Sequence, residues 1–384
     1  MSWKPIQEEE DRYQLPTYAK LPTALERGNG CYVYDSDGNQ YLDFYAGHAV
    51  VSTGHCHPRV VDAIREQAGK LIFYSNVTYN GIRARASRRL LEMAGEPFYQ
   101  TFLASSGSEA NENAIKLARA QTGRRELISL EGSFHGRTYG SLSATGIAKY
   151  PAYLNTPVPG HRILPAQEVA AAVSQETAAV LVEPIQSMGG VREIPASVLS
   201  DISQACRRHG SLLIYDEVQT GVGRTGRFLY SGLHDIYPDM VTLAKGIASG
   251  FPASALLVTE ELARGVKSGD LGTTFGGGQL ACAALKATLD VIQEEQLVEN
   301  AAIMGTYLTE RLEAMEGVAQ ILGRGLLLGI RWGREGAAKA LQKGLRERGI
   351  LTGSSTDPTV LRLMPPLVVQ RNEVDTFLEA VAAL

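Results

Sequence analysis

The segment SLLIYDEVQTG, residues 211–221, sets an apolar, strand-like run directly before two carboxylates, Asp216 and Glu217. Runs of the same kind recur at 101–104, 126–129, 179–182, 241–244 and 255–258, separated by longer stretches of helical character. That alternation predicts parallel strands joined by crossover helices, an α/β fold. Most of the runs end in something chemically pointed: SSGSE after Ala104, Glu183-Pro184 after Val182, Asp216-Glu217 after Tyr215, Lys245-Gly246 after Ala244. The carboxyl ends of parallel strands line one crevice, so these residues are expected to converge.

With 384 residues the chain can bury a large core and has room for two or three domains. Hydrophobic residues at 44% and charged residues at 20% are those of a soluble globular protein. A net charge of −4 offers no basic field for nucleic acid or an acidic membrane, so neither is expected as a partner. The cysteines, Cys31, Cys56, Cys206 and Cys282, form no CxxC pair, so no metal site or disulfide framework is expected. The polar start MSWKPIQEEEDRYQ has no apolar segment of the signal-peptide kind, and a cytoplasmic protein is expected. Residues 1–48 carry turn signals (SDGN at 36–39) and short strand-like pieces, while 283–317 and 334–349 have helical periodicity. The economical division is a large domain at 49–281 and a smaller one built from 1–48 and 282–384.

In LASSGSEANENAIKLARA, residues 103–120, Ser106 to Glu109 fits an S-x-x-E capping box, and Ala110, Ala114, Leu117 and Ala118 share one helical face. A helix starting here, approached through Gly107, presents free N–H groups suited to phosphate. Taken alone the motif is a well-capped helix, and the GxGxxG and P-loop patterns are absent. Lys245, alone, is one lysine among many; at a strand end it is an amine at the crevice, where desolvation lowers its pKa and equips it to form a Schiff base. A lysine, a helix N-terminus and a strand-end carboxylate together suit pyridoxal 5′-phosphate (PLP), an aldehyde with a phosphate and a protonatable ring nitrogen. Asp216 would then face that nitrogen; without Lys245 it reads as a turn cap.

At this point the chain resembles the class III aminotransferases of fold type I, and within them the acetylornithine and ornithine aminotransferases. The resemblance is carried by ALERGNGCYVYDSDGNQYLDF at 24–44, GHCHP at 54–58, SGSEANE at 106–112, FHGRT at 134–138, VEPIQ at 182–186, DEVQTGVGRTG at 216–226, LAKGIASG at 243–250, GTTFGG at 272–277 and LRLMPPLV at 361–368. It implies a mostly parallel sheet between helices in the large domain and an α+β small domain. It also implies phosphate bound by the N–H groups of Gly107 and Ser108, Phe134 stacked on the ring, Gln219 near the ring hydroxyl and Glu183 beside it. Thr274 matches a residue that reaches the neighbouring subunit's cofactor, which implies a homodimer with shared active sites.

Carboxylate substrates need guanidinium groups. The resemblance assigns Arg362 to the α-carboxylate of glutamate or 2-oxoglutarate, Arg137 to a second carboxylate and Tyr18 to the donor's α-substituents. Each arginine alone would read as a surface ion-pair residue. Two positions depart from the family pattern. Met188, in EPIQSMGG, stands where a gating glutamate is usual, so Arg362 would stay open to carboxylates; GGGQLA at 276–281 replaces the usual GGNPLA. His48, in YAGHAV, holds a substrate-facing position and is read either as an acyl or carboxylate contact or as a packed histidine. The expected reaction moves the terminal amino group of an N-acylornithine, in first place N-acetylornithine, to 2-oxoglutarate, in arginine biosynthesis. Ornithine, N-succinylornithine, an acyl-lysine or another ω-amine are alternatives, as are an aminomutase of the same fold and a non-enzymatic PLP-binding protein.

Overall fold

The computed structural model describes residues 3–333 and 336–384, so the helical reading of 334–349 is met only beyond residues 334 and 335, which lie outside the described residues. The central element is a seven-stranded sheet. Its strands are β1 (Phe98–Ala104), β2 (Glu126–Leu130), β3 (His161–Leu164), β4 (Thr177–Val182), β5 (Leu212–Asp216), β6 (Met240–Leu243) and β7 (Ser254–Thr259). They lie in the order β1-β7-β6-β5-β4-β2-β3. β2 to β6 pair in parallel. Every residue of β4 and β6 is buried, as expected of strands covered by helices on both faces.

One strand corrects the sequence reading. The run at 255–258 is not a parallel strand with a crossover helix: β7 runs antiparallel to both β6 and β1. Residues 244–253 between β6 and β7 hold a short 3-10 turn, Lys245–Ala248, and the breakers Gly250 and Pro252. That link is too short for a parallel crossover, so the chain doubles back. Because β7 is reversed against both neighbours, β1 points the same way as β2 to β6, and Ala104, Leu130, Val182, Asp216 and Leu243 end on one edge. Among the elements that escaped the sequence are β3, short and partly polar, and the helix Trp3–Tyr13, which buries no residue.

The two ends of the chain meet. Strand Gln40–Asp43 pairs in parallel with Ile350–Leu351. A second sheet sets Val360–Leu363, which carries Arg362, between Leu327–Trp332 and Gly353–Ser354. Among the described residues no helix is long and apolar enough to cross a membrane.

Candidate active site

The loops at the carboxyl edge of the sheet enclose a cavity of about 470 Å³. It gathers Tyr18, His48, Ser106, Gly107, Ser108, Phe134, Arg137, Glu183, Met188, Asp216, Gln219 and Lys245. Two expected residues are not in its lining. Thr274 is exposed on another part of this chain, and Arg362 is 1% exposed.

The helix Gly107–Thr122, α1, begins as its sequence requires. The Ser106 hydroxyl accepts the Glu109 N–H at 3.2 Å, while the Glu109 carboxylate reaches back to the Ser105 N–H at 2.9 Å, one residue earlier than a capping box. The N–H groups of Gly107 and Ser108, in the first turn, have no intrahelical acceptor. The FHGRT loop closes on this helix start through Gly136, which has φ of +140° and leaves no room for a side chain: a Cβ would meet Ser108 Oγ at 2.2 Å. In return the Arg137 N–H donates to Ser108 Oγ at 3.1 Å. Gly136→Ala is therefore expected to lower stability by about 2 kcal/mol and to weaken phosphate-bearing cofactor. Denaturant midpoints and PLP titration check this, and a variant matching wild type in both removes the loop's role.

The opening pair of carboxylates splits. Asp216, at the end of β5, faces the cavity, and its Oδ2 accepts from Asn111 Nδ2 at 2.7 Å and from His135 Nδ1 at 2.8 Å. Its Oδ1 accepts the Val218 N–H at 3.1 Å. Asn111 is fixed in turn by the Thr242 hydroxyl, which donates to its Oδ1 at 2.7 Å. A carboxylate is acceptor-only, so donors from α1, the FHGRT loop and its own turn fix its orientation. Glu217 turns away from the cavity, where it accepts the N–H groups of Tyr230 at 2.6 Å and Ser231 at 3.1 Å; burial raises its pKa to about 7. Sequence reasoning passed over Asn111, His135 and Thr242. The available signal was a polar residue inside an apolar pattern: Asn111 beside the α1 alanine stripe, Thr242 within VTL.

Lys245 follows β6 with φ of +43°. Lys245 is half-buried and opens onto the cavity; desolvation lowers its pKa, against the pull of Asp216 and Glu183. Among the described residues no carboxylate lies within ion-pair reach of it. Glu183 is buried beside the cavity, accepts the Phe134 N–H at 3.0 Å, and is pushed up to about 8 by burial and by Asp216. Gln219 Oε1 is buried without a partner. Phe134 meets Tyr150 edge-on at 5.2 Å, and the Arg137 guanidinium lies 4.5 Å from the Tyr150 ring centroid. Tyr150, also unforeseen, thus fixes the mouth around Arg137.

Arg362 donates from Nε to Ser354 O at 2.6 Å and from Nη1 to Ser187 Oγ at 3.0 Å. No carboxylate is within ion-pair reach of it among the described residues, and burial lowers its pKa. Met188, half-buried, lines the cavity one residue beyond Ser187. Tyr18, 75% exposed, stands at the rim.

An amine free of ion pairs among the described residues, a helix N-terminus, an anchored aspartate and the orphaned Gln219 oxygen fit an aldehyde cofactor with phosphate, ring nitrogen and ring hydroxyl. Residues 13–384 match the family described as "Aminotransferase class-III". The acetylornithine aminotransferase of Methanopyrus kandleri is 43% identical over 97% of this chain and 96% of its own length. That of Aquifex aeolicus is 39% identical over 94% and 97%. Among solved structures, the ornithine aminotransferase of Toxoplasma gondii superposes with a TM-score of 0.93 at 30% identity, over 100% of this chain and 94% of that one. The acetylornithine aminotransferase of Elizabethkingia anophelis gives 0.88 at 32% identity, over 100% and 98%. Its cleft and its relatives make this chain a member of the class III aminotransferases.

Proposed function

We propose that this aminotransferase uses PLP to move the terminal amino group of N-acetylornithine to 2-oxoglutarate. The observation that carries the reading is Lys245 and Asp216 facing one cavity that opens at a helix N-terminus. Bound there, PLP would supply an aldehyde for the donor's amine and a ring that draws electrons from the carbon bearing it. Lys245 would hold the cofactor through its amine and, as a base, carry a proton away from the donor's δ-carbon. Asp216 would face the ring nitrogen, and its donors on α1 and the FHGRT loop keep it there. Ser106 caps the helix whose Gly107 and Ser108 N–H groups would take the phosphate. Phe134 would cover one ring face, and Gln219 would offer its free oxygen at the ring hydroxyl, with Glu183 alongside. Arg137 and Arg362 would hold the substrate carboxylates, with Tyr18 and His48 against the rest of the donor.

The relatives named as acetylornithine aminotransferases support the donor, which would place the enzyme in arginine biosynthesis. Met188 supports a cleft in which Arg362 awaits carboxylates without an internal competitor. Exposed Ile72, Tyr74, Val77, Tyr79 and Phe275 form apolar surface close to Thr274 and suit a second copy of this chain, so Thr274 would serve the neighbour's phosphate. We read 49–281 and the paired ends 1–48 and 282–384 as the two domains of a cytoplasmic protein. A donor screen with 2-oxoglutarate, comparing N-acetylornithine, N-succinylornithine, ornithine, GABA and lysine derivatives, tests the assignment. The highest kcat/KM is expected for N-acetylornithine; a higher value for any other donor reassigns the substrate.

A further inference from the structure

We propose that Tyr150 is a specificity-determining residue: its ring seats Arg137 with the guanidinium donors left free, which biases the cleft towards a keto acid carrying a second carboxylate. The inference deepens the aminotransferase reading and rests on its assignment of Arg137. Phe134, Arg137 and Tyr150 all line the cavity. Arg137 is exposed, and among the described residues it forms no ion pair with a carboxylate. A long side chain left in water samples many rotamers, and a ligand would have to freeze them.

Two rings do that in advance. The Arg137 guanidinium lies 4.5 Å from the Tyr150 ring centroid and 5.9 Å from that of Phe134. The rings meet edge to face, with centroids 5.2 Å apart and planes at 72°, so they form a corner around the cation. Backbone contacts fix both sides of the corner. The Phe134 N–H donates to Glu183 at 3.0 Å, and the Tyr150 N–H closes a turn on Ile147 O at 3.0 Å, just before the 3-10 turn Pro151–Tyr153. The root of the arginine is fixed as well, by its N–H on Ser108 Oγ.

The kind of contact decides what the arginine can still do. A carboxylate in the place of the ring would occupy two of the five guanidinium donors and cancel the charge. A ring face holds the cation through its quadrupole and takes none of the donors. Lys149 adds to the effect: its Nζ lies 5.0 Å from the same ring centroid, and it too pairs with no carboxylate among the described residues. The mouth therefore sets two positive charges around one neutral ring, a field that favours a dianion over a monoanion. An aliphatic side chain at 150 would fill the corner and hold neither cation.

The test compares kcat/KM of the holoenzyme for 2-oxoglutarate and for 2-oxopentanoate, which carries a methyl where 2-oxoglutarate has its second carboxylate. One active amino donor is held at fixed concentration, and wild type is measured beside Tyr150→Leu, Tyr150→Met, Tyr150→Phe and Arg137→Leu. The ratio of the two values does not depend on how much of a variant folds. Tyr150→Leu and Tyr150→Met are each expected to cut the preference for 2-oxoglutarate by about three- to tenfold, the size of a partly desolvated cation–π contact, with the loss in KM. Tyr150→Phe keeps a ring and is expected to keep the preference, while Arg137→Leu should lose more than any variant at 150. An unchanged ratio in either aliphatic variant, even if both rates fall, overturns the proposal while the role of Arg137 stands. A loss in Tyr150→Phe as large as in Tyr150→Leu overturns it too, since the hydroxyl would then be the active group. An unchanged ratio in Arg137→Leu, or no preference in wild type, would instead remove the carboxylate role of Arg137 from the underlying reading.

Discussion

On the proposed reading Lys245→Ala is expected to lower turnover by at least about 10⁴-fold, because it would remove both the anchor for an aldehyde and the group that moves the proton. The variant should still take up PLP through the helix start and Asp216, but borohydride should no longer fix the cofactor to the protein. Folding should not suffer, since the deleted amine has no ion-pair partner among the described residues. Its desolvation gives a pH signature. The pKa of Lys245 is lowered by desolvation, so covalent uptake of PLP by the wild-type apoprotein should speed up with pH and level off below the ordinary lysine range near about 10.4. As pH falls from that range, the unfolded chain takes up the proton first. The apoprotein therefore loses a stability contribution down to the lowered pKa, and Lys245→Ala removes that slope. Borohydride labelling of the alanine variant at a different lysine would refute the assignment.

Asp216→Asn is expected to lower kcat by about 10²- to 10³-fold, the size found when a preorganised electrostatic partner is lost. The amide oxygen would have to occupy the Oδ2 place, where Asn111 and His135 both donate at 2.7 and 2.8 Å. The amide NH2 would then face the Val218 N–H and the cavity, a donor against donors, with no negative charge for a ring nitrogen. A loss of about 1–3 kcal/mol in stability accompanies this. Glu217→Gln is the control. One of its two oxygens becomes an NH2 that meets the N–H of either Tyr230 or Ser231, so it should destabilise comparably while leaving PLP affinity in the folded protein intact. Stopped-flow single turnovers and urea midpoints on both variants separate the effects. Equal kcat for Asp216→Asn and wild type would take Asp216 out of the ring-nitrogen role.

The fold class was legible because parallel strands buried on both faces are continuous apolar runs, and β2, β4, β5 and β6 are such runs. The reversal of β7 was not, since a strand's direction is set by the length of its connection and leaves no mark on its own composition. Lys245, Asp216 and the Ser106 helix start were found because each sits at a strand end, where sequence order and spatial convergence coincide. Asn111, His135 and Thr242 were missed because their value lies in a shared acceptor, and the groups that meet at Asp216 come from three separate parts of the chain.

What this sequence determined by itself is local: which runs are strands, where α1 starts, and which side chains stand at strand ends. These follow from burial period and backbone capping, which act over a few residues. Tertiary structure alone decided that Asp216 meets the cleft while Glu217 caps a turn, and that Arg362 lies buried without a carboxylate. Each of those is a balance of desolvation against hydrogen bonds from distant segments, and only the folded chain brings the partners within reach.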